Sequence, residues 1–424
     1  MKSKWRYGAL AGAVAAVLGG GGSTAQGAGF FLPYQGAAAI GNSLAGTAAL
    51  GEDASTAYWN PAAMSRLQEG QVAFAAHYAA PIVQFSNNGS TGPAAIVPAT
   101  GGNGGDAGVP TILPNLFAVV PYGAWAFGVA VSTTFGNRTE YDPTWRGRFQ
   151  STESELMATN INPSLSYKWN DWSFGVGVNY TRLETEFHQR VVLGVNTEGN
   201  AKLSGDDTAW SANAGVLWEM TPKTRIGLSY RSKIDFQLAG TQQVATLTGV
   251  AVPGQNFDVR ADLTLPAITT LSAVHDFDSG WSILGDISYT QWSEINNLLV
   301  KNLAGTTVQT LSFDLKDALR ASVAANYRWN DNWLFRAGVA FDQSSVKGSV
   351  ERSASLPDSD RIWLSLGARW DIVPKKHRLD FAYAHVFVEA SEIGRTTTGS
   401  SGMTLKGNYD NSADILSAQY TFSF

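Results

Sequence analysis

The chain has 424 residues, of which only 15% are charged and 44% hydrophobic, with 44 glycines, 14 tryptophans, 14 tyrosines and no cysteine. Ordinary soluble domains carry about 25% charge, so the deficit argues against a normal water-facing surface, while the missing cysteines exclude disulfides, thiolate zinc sites and cysteine nucleophiles. A formal net charge of −5 offers nucleic acid no electrostatic footprint.

From the N-terminus, Lys2, Lys4 and Arg6 form a basic start, Ala9 to Leu18 an apolar core, and Ala25, Gln26 and Gly27 a small-x-small cleavage site. Residues 1–27 therefore read as a secretory signal peptide, with a mature chain starting at Ala28. The segment is too short and glycine-rich for a membrane anchor, and after it no run of about 18 apolar residues could cross a bilayer as a helix. Low charge with a mean hydropathy close to zero suits instead a chain alternating lipid-facing and water-facing side chains.

Residues 28–69 do not alternate. They are rich in Ala and Gly, with Ala39, Ile40, Leu44, Ala48 and Leu50 mostly on one helical stripe, and read as short helices able to pack closely. In "YWNPAAM", Asn60 is the expected cap and Pro61 the first helical residue, where its missing N–H costs nothing.

From Gly70 onward the pattern is strand. In "WSFGVGVNYT", Trp172, Phe174, Val176, Val178 and Tyr180 share one face, and Ser173, Gly175, Gly177, Asn179 and Thr181 the other. "WLFRAGVAF" at 333–341 and "RIWLSLGARW" at 361–370 repeat the alternation. Compact turns recur at "PYGAW" near 122, "KWNDW" near 170, "EMTPKT" near 221, "DFDSGW" near 278, "RWNDNW" near 331 and "DIVPKKH" near 374. Longer polar segments, 81–114, 185–207, 236–262 and 389–411, separate them as outer loops.

Six inner turns join seven hairpins, which predicts 14 strands, an even number as such barrels require. Trp125, Trp169, Trp172, Trp218, Trp281, Trp329, Trp333 and Trp370 lie beside the inner turns as an interfacial girdle. The last strand, "QYTFSF", alternates Tyr420, Phe422 and Phe424 and resembles the closing strand of bacterial outer-membrane barrels. The expected fold class is thus an all-β membrane barrel: a 14-stranded antiparallel transmembrane β-barrel over 70–424, with 28–69 as a small N-terminal helical hatch plugging its lumen. A soluble propeller, the competing reading of a repeat near 50 residues, needs four short strands per repeat, and only two are present.

The residues also carry a likeness. Ala28-Gly29-Phe30, Asn60-Pro61-Ala62, "YTQWS" at 289–293, "KDALR" at 316–320, "LPDSDRIWLSLG" at 356–367 and the terminal Phe424 resemble the FadL family (OmpP1/FadL/TodX type). These are outer-membrane transporters of long-chain fatty acids and related hydrophobic compounds, including monoaromatic ones. The resemblance implies capture of an apolar ligand in the lumen and sideways release into outer-membrane lipid, through a gap at a kink in the third strand beside the NPA segment. "TTFGNRTEY" at 133–141 resembles the kink, with Phe135 and Gly136 as its expected residues, although a plain strand end before 137–157 fits the same stretch. Phe30 and Phe31 would line the apolar pocket, extended by Leu32 and Pro33, and Asn60, Pro61 and Ala62 would form the hatch gate.

A fatty-acid carboxylate would want a cation, and Arg146, Arg148, Arg182 and Arg190 are the candidates. The ordinary reading of each is a solvated loop or lumen charge. The lysine that family members use on a later strand has no counterpart, so an uncharged substrate stays open. Asp358 and Asp360 beside Arg361 suggest a charge-assisted loop anchor rather than a cation site. With five histidines, two of them at inner turns, and no G-x-S-x-G, the sequence supports neither an enzyme, a cofactor nor a metal site. The partners expected are an apolar small molecule and lipid, the protein a monomer of the bacterial outer membrane. The alternative function is a general diffusion porin, which should lack a plug and carry facing charged clusters; a role as adhesin or phage receptor is compatible with transport.

Overall fold

The computed structural model describes residues 29–92, 100–397 and 402–424. The expected signal peptide and Ala28 lie outside these residues.

Nineteen strands follow one another: β1 (Gln71–Asn87), β2 (Thr111–Tyr122), β3 (Trp125–Glu140), β4 (Glu153–Trp169), β5 (Trp172–Gly194), β6 (Thr197–Trp218), β7 (Thr224–Arg231), β8 (Ile234–Thr246), β9 (Phe257–Leu265), β10 (Ile268–Asp276), β11 (Trp281–Thr290), β12 (Asn297–Asn302), β13 (Thr307–Ser312), β14 (Ala318–Arg328), β15 (Trp333–Asp342), β16 (Arg361–Val373), β17 (His377–Val388), β18 (Ser391–Thr396) and β19 (Thr404–Ser423). Antiparallel ladders connect β1 through β7 in sequence, then β7 to β10, β10 to β11, β11 to β14, β14 through β17, and β17 to β19. The β1–β19 ladder, from Gln71↔Ser423 to Asn87↔Gly407, closes the ring. Fourteen strands therefore form the wall, as the turn count predicts, and closure leaves the wall without a terminal edge strand.

The short turns fall where expected, for instance Tyr122↔Trp125 and Trp169↔Trp172 at the ends of their hairpins. The opposite ends differ from expectation. Segments 185–207, 236–262 and 389–411 are largely strand, and β1 runs six residues past position 81 to Asn87. β5 and β6 stay paired out to Gly194↔Thr197, while β8 with β9, β12 with β13, and β18 with β19 extend the wall as hairpins. Beyond the bilayer both faces of a strand meet polar surroundings, so period-two patterning fades and the composition reads as loop.

Along β5 the burial alternates from Trp172 to Thr185: Trp172, Phe174, Val176, Val178 and Tyr180 are exposed, and Ser173 to Thr181 on the other parity are buried. The exposed apolar row faces lipid, and the small polar row faces a filled interior. Trp125, Trp169, Trp172, Trp281, Trp329 and Trp370 are exposed beside the inner turns, with Trp172 stacked on Trp218 at 5.2 Å and Trp333 on Trp370 at 5.8 Å. Such an amphipathic belt fits the headgroup level.

The interior filling is residues 29–70. It contains two one-turn helices, Ala37–Gly41 and Thr56–Trp59, and a 3₁₀ helix, Pro61–Arg66. Nearly every residue from Gly29 to Met64 is buried. Small residues make this possible: Ala37 to Gly41, Ala45, Ala48, Ala49, Ala54, Ala57, Ala62 and Ala63 bring the backbone close to the wall.

Candidate ligand-transport site

Asn60 works as the sequence suggests, although the helix it starts is 3₁₀ rather than α. Its Oδ1 accepts from the Ala62 N–H at 3.0 Å, and Pro61 occupies the first turn. Its Nδ2 donates to Ala48 O at 2.6 Å and to Val216 O of β6 at 3.2 Å. One side chain thus caps its own helix and ties the interior segment to the wall. Three wall glycines make room. A Cβ on Gly175 would overlap the backbone of Pro61 and Ala62, one on Gly215 would overlap Asn60 Oδ1, and one on Gly227 would overlap Ala48 O.

A break in the wall lies between β2 and β3. Their ladder runs from Tyr122↔Trp125 only to Leu116↔Val131, whereas β1 holds β2 as far as Thr111 and β4 holds β3 as far as Glu140. The cause is local. Register between β3 and β4 shifts from Thr133↔Thr159 to Phe135↔Ala158, so Thr134 is the extra residue of a bulge, two positions before Gly136. From Ala130 to Asn137 β3 is buried on both faces, which marks its departure from the lipid-facing wall.

The N-terminal stretch occupies this break. Leu32 N donates to Thr134 O at 3.0 Å, Gly136 N donates to Phe30 O at 2.7 Å, and Phe31 bridges Phe135 antiparallel. Gln35 Nε2 donates to Thr133 O at 2.7 Å, and Asn115 Nδ2 of β2 donates to Tyr34 O. Gly29 N donates to Asp358 Oδ2 at 3.2 Å, and Asp358 also pairs with Arg361. The anchor expected of 357–361 therefore holds the N-terminal stretch as well as its own loop.

Phe30 and Phe31 lie in the largest apolar cluster of the lumen. Phe30 packs edge-on against Trp292 at 6.1 Å and Phe313 at 5.7 Å, and Phe31 against Phe135 at 5.7 Å. Leu156, Leu183, Phe236, Leu265 and Ile268 complete the lining from five strands of the wall and its extensions. This is a close-packed apolar chamber inside the barrel, with Phe30 to Gln35 lying against the β2–β3 break on its lipid side.

The four candidate arginines lie elsewhere. Arg148 is buried in the outer loop, paired with Glu198 at 2.7 Å and over the Phe149 ring. Arg146 and Arg190 are half-buried in the outer region, donating to Gly101 O at 3.4 Å and Pro143 O at 3.3 Å. Arg182 projects outward with Glu184 and Asp206. None lines the chamber. The lumenal arginines instead come from strands, in the small polar rows: Arg225 and Arg231 of β7, Arg320 of β14, Arg336 of β15 and Arg369 of β16. "RIGLSYR" carries that signal, since Arg225, Gly227, Ser229 and Arg231 share the inward face.

Several of these arginines bind the interior segment. Glu52 meets Arg336 at 2.9 Å and also Arg369, both of which contact Asp380, and Arg378 donates to Glu52 O at 2.9 Å. Loss of water pulls the Glu52 carboxyl upward, but Arg336, Arg369 and Arg378 outweigh this and hold it well below the usual carboxylate range. Neighbouring Asp53 is raised by its burial and by the charges of Glu52 and Asp380.

A closed 14-stranded barrel with aromatic belts and a small-residue segment filling its lumen defines an outer-membrane transport barrel. The family described as "Outer membrane protein transport protein (OMPP1/FadL/TodX)" matches residues 20–424, and the chain belongs to it. The chain is similar to the long-chain fatty acid transport protein of Escherichia coli O157:H7, 28% identical over 410 residues, covering 87% of this chain and 89% of that protein. It superposes on a FadL homologue of Pseudomonas aeruginosa with a TM-score of 0.87 at 27% identity, covering 94% of this chain and all of that one. Its fold is shared by the toluene transporter TodX of P. putida, TM-score 0.67 at 18% identity, covering 88% and 94% of the two chains. The protein is an outer-membrane transporter and not an enzyme.

Proposed function

We propose that this protein imports long-chain fatty acids, binding the acyl chain in the lumenal chamber around Phe30 and Phe31 and releasing it through the β2–β3 break into outer-membrane lipid. The observation that carries this reading is the break itself, where Phe30 to Gln35 take the place of the missing β2–β3 ladder along Thr133 to Gly136. A lateral exit spares an apolar ligand the cost of entering water, about 0.8 kcal/mol per CH₂.

The balance of burial favours a long chain. Seating two phenylalanine rings is worth about 3–6 kcal/mol, which an acyl chain matches with roughly four to eight buried methylenes. A fatty acid exceeds that and can displace the terminus; a single aromatic ring cannot. Phe135 and Gly136 then form the edge of the exit, and residues 28–69 act as a hatch whose gate is Asn60, Pro61 and Ala62. The working unit is one barrel, and lipid receives the product.

Uptake of radiolabelled oleate and toluene by cells lacking their own hydrophobic transporters tests this. Oleate should enter with the wild-type protein and fall at least about fivefold with Asn60→Ala or Gly136→Val at equal surface expression. Toluene uptake without oleate uptake would refute the assignment, and equal uptake by all variants would refute the route.

A further inference from the structure

Directly beside the chamber, a cavity of about 30 Å³ opens between Phe31 and Ile268 on one side and Tyr58 and Trp59 on the other, with Arg231 and Arg320 in its lining. Phe31 and Ile268 belong to the apolar cluster as well, so the cavity adjoins the chamber. Arg231 is buried, yet its partners are all uncharged: it donates to Asn179 Oδ1, donates to Tyr58 O at 3.0 Å, and lies 4.3 Å over the Tyr58 ring. Among the described residues it forms no ion pair. Arg320, equally buried, shares Asp286 at 3.6 Å, and that carboxylate already accepts from Thr47 and Ser272. Two guanidiniums and one shared carboxylate leave a net positive charge away from water, a costly arrangement unless an anion is meant to enter.

We infer that Arg231, with Arg320 beside it, is a docking site for the carboxylate of an anionic amphiphile whose tail fills the Phe30–Phe31 chamber. The inference rests on the fatty-acid reading above and adds the headgroup partner. A cavity of this size holds little more than a small polar group, which suits a carboxylate and not a ring. A guanidinium fork fits both oxygens, and the dry surroundings strengthen the pair. Arg231 also holds Tyr58 O, two residues before Asn60. Headgroup capture therefore competes with a contact that fastens the interior segment, so an acid perturbs the gate where a neutral tail does not.

Equilibrium dialysis of radiolabelled oleate and oleyl alcohol against purified full-length protein in detergent tests the site. Arg231→Met should weaken oleate binding about 10- to 100-fold and change oleyl alcohol binding less than about twofold. Arg231→Lys, which keeps the charge and loses the fork, should lose about three- to tenfold for oleate only. In the wild-type protein the infrared carboxylate stretch of carboxyl-labelled oleate should report a guanidinium pair, a readout independent of how well any variant folds. A parallel loss for both ligands makes Arg231 merely structural, and unchanged oleate binding or an unpaired carboxylate stretch overturns the site. Failure of wild-type protein to bind either ligand would instead overturn the fatty-acid reading itself.

Discussion

At the scale of single residues, the seating of the interior segment depends on side chains that are absent. Gly215 faces Asn60 Oδ1 so closely that a methyl group there must push the NPA turn off the wall. Gly215→Ala should therefore cost about 1–3 kcal/mol as overpacking, borne by the interior segment and not by the strand ladder. Protease sensitivity of residues 29–70 in intact membranes should rise while heat-modifiable migration of the barrel persists. Gly285→Ala, at a strand position with open space around it, should leave both unchanged. Equal behaviour of the two variants would mean that contact at Gly215 does not seat the segment. The sequence made some of this legible: apolar residues at an exposed terminus have to be buried, which identified Phe30 and Phe31, and Asn-Pro announced a helix start. It misdirected the search for cations to loop arginines, because charge is ordinarily expected in water. The buried cations occupy the small polar rows of strands, on the inward parity of β7, β14 and β15.

At the scale of elements, the wall was readable wherever lipid covered one face. Alternation in β5, β15 and β16 and the Asn/Asp/Gly/Pro turns set the strand number and the inner boundaries. The outer reaches of β5, β6, β8, β9 and β19 were not readable as strands, since no apolar stripe is needed where both faces are wet. The β3 bulge was also displaced in the reading, toward Gly136. A bulge needs no positive φ and no glycine in every form, and "STTF" at 132–135 contains nothing that marks Thr134. Its removal is the sharpest test of the exit. Deleting Thr134 makes Thr133↔Thr159 and Phe135↔Ala158 consecutive, which allows β3 to run straight and pair with Thr111 to Asn115 of β2. Oleate uptake should fall at least about tenfold with a folded barrel still present at the surface. Retained uptake would mean that the ligand leaves by another path, through the hatch toward the periplasm.

At the scale of the whole molecule, a barrel of this width is either a pore or a plugged conduit, and the interior segment is tied to the wall by charge as well as by packing. Glu52 pairs with two arginines of adjacent strands that also share Asp380, so its removal leaves Arg336 and Arg369 under-compensated inside the lumen. Breaking such a pair from one side costs about 3–5 kcal/mol, which is large enough to free the segment from 29 to 70. In planar bilayers the wild-type protein should carry almost no steady ion current at neutral pH, unlike a diffusion porin, and Glu52→Gln should carry a porin-like one. Acid should not reproduce the variant. A carboxyl held below its usual range stabilises the folded state fully above its unfolded value, about 4.3, and loses that contribution only as pH falls toward the depressed value. Asp53, held above its range, has the opposite sign, so its protonation as pH falls adds stability beside Glu52. The wild-type barrel should thus stay closed from pH 7 to about pH 5, and opening within that window would mean that the Glu52 cluster is not what keeps the lumen shut.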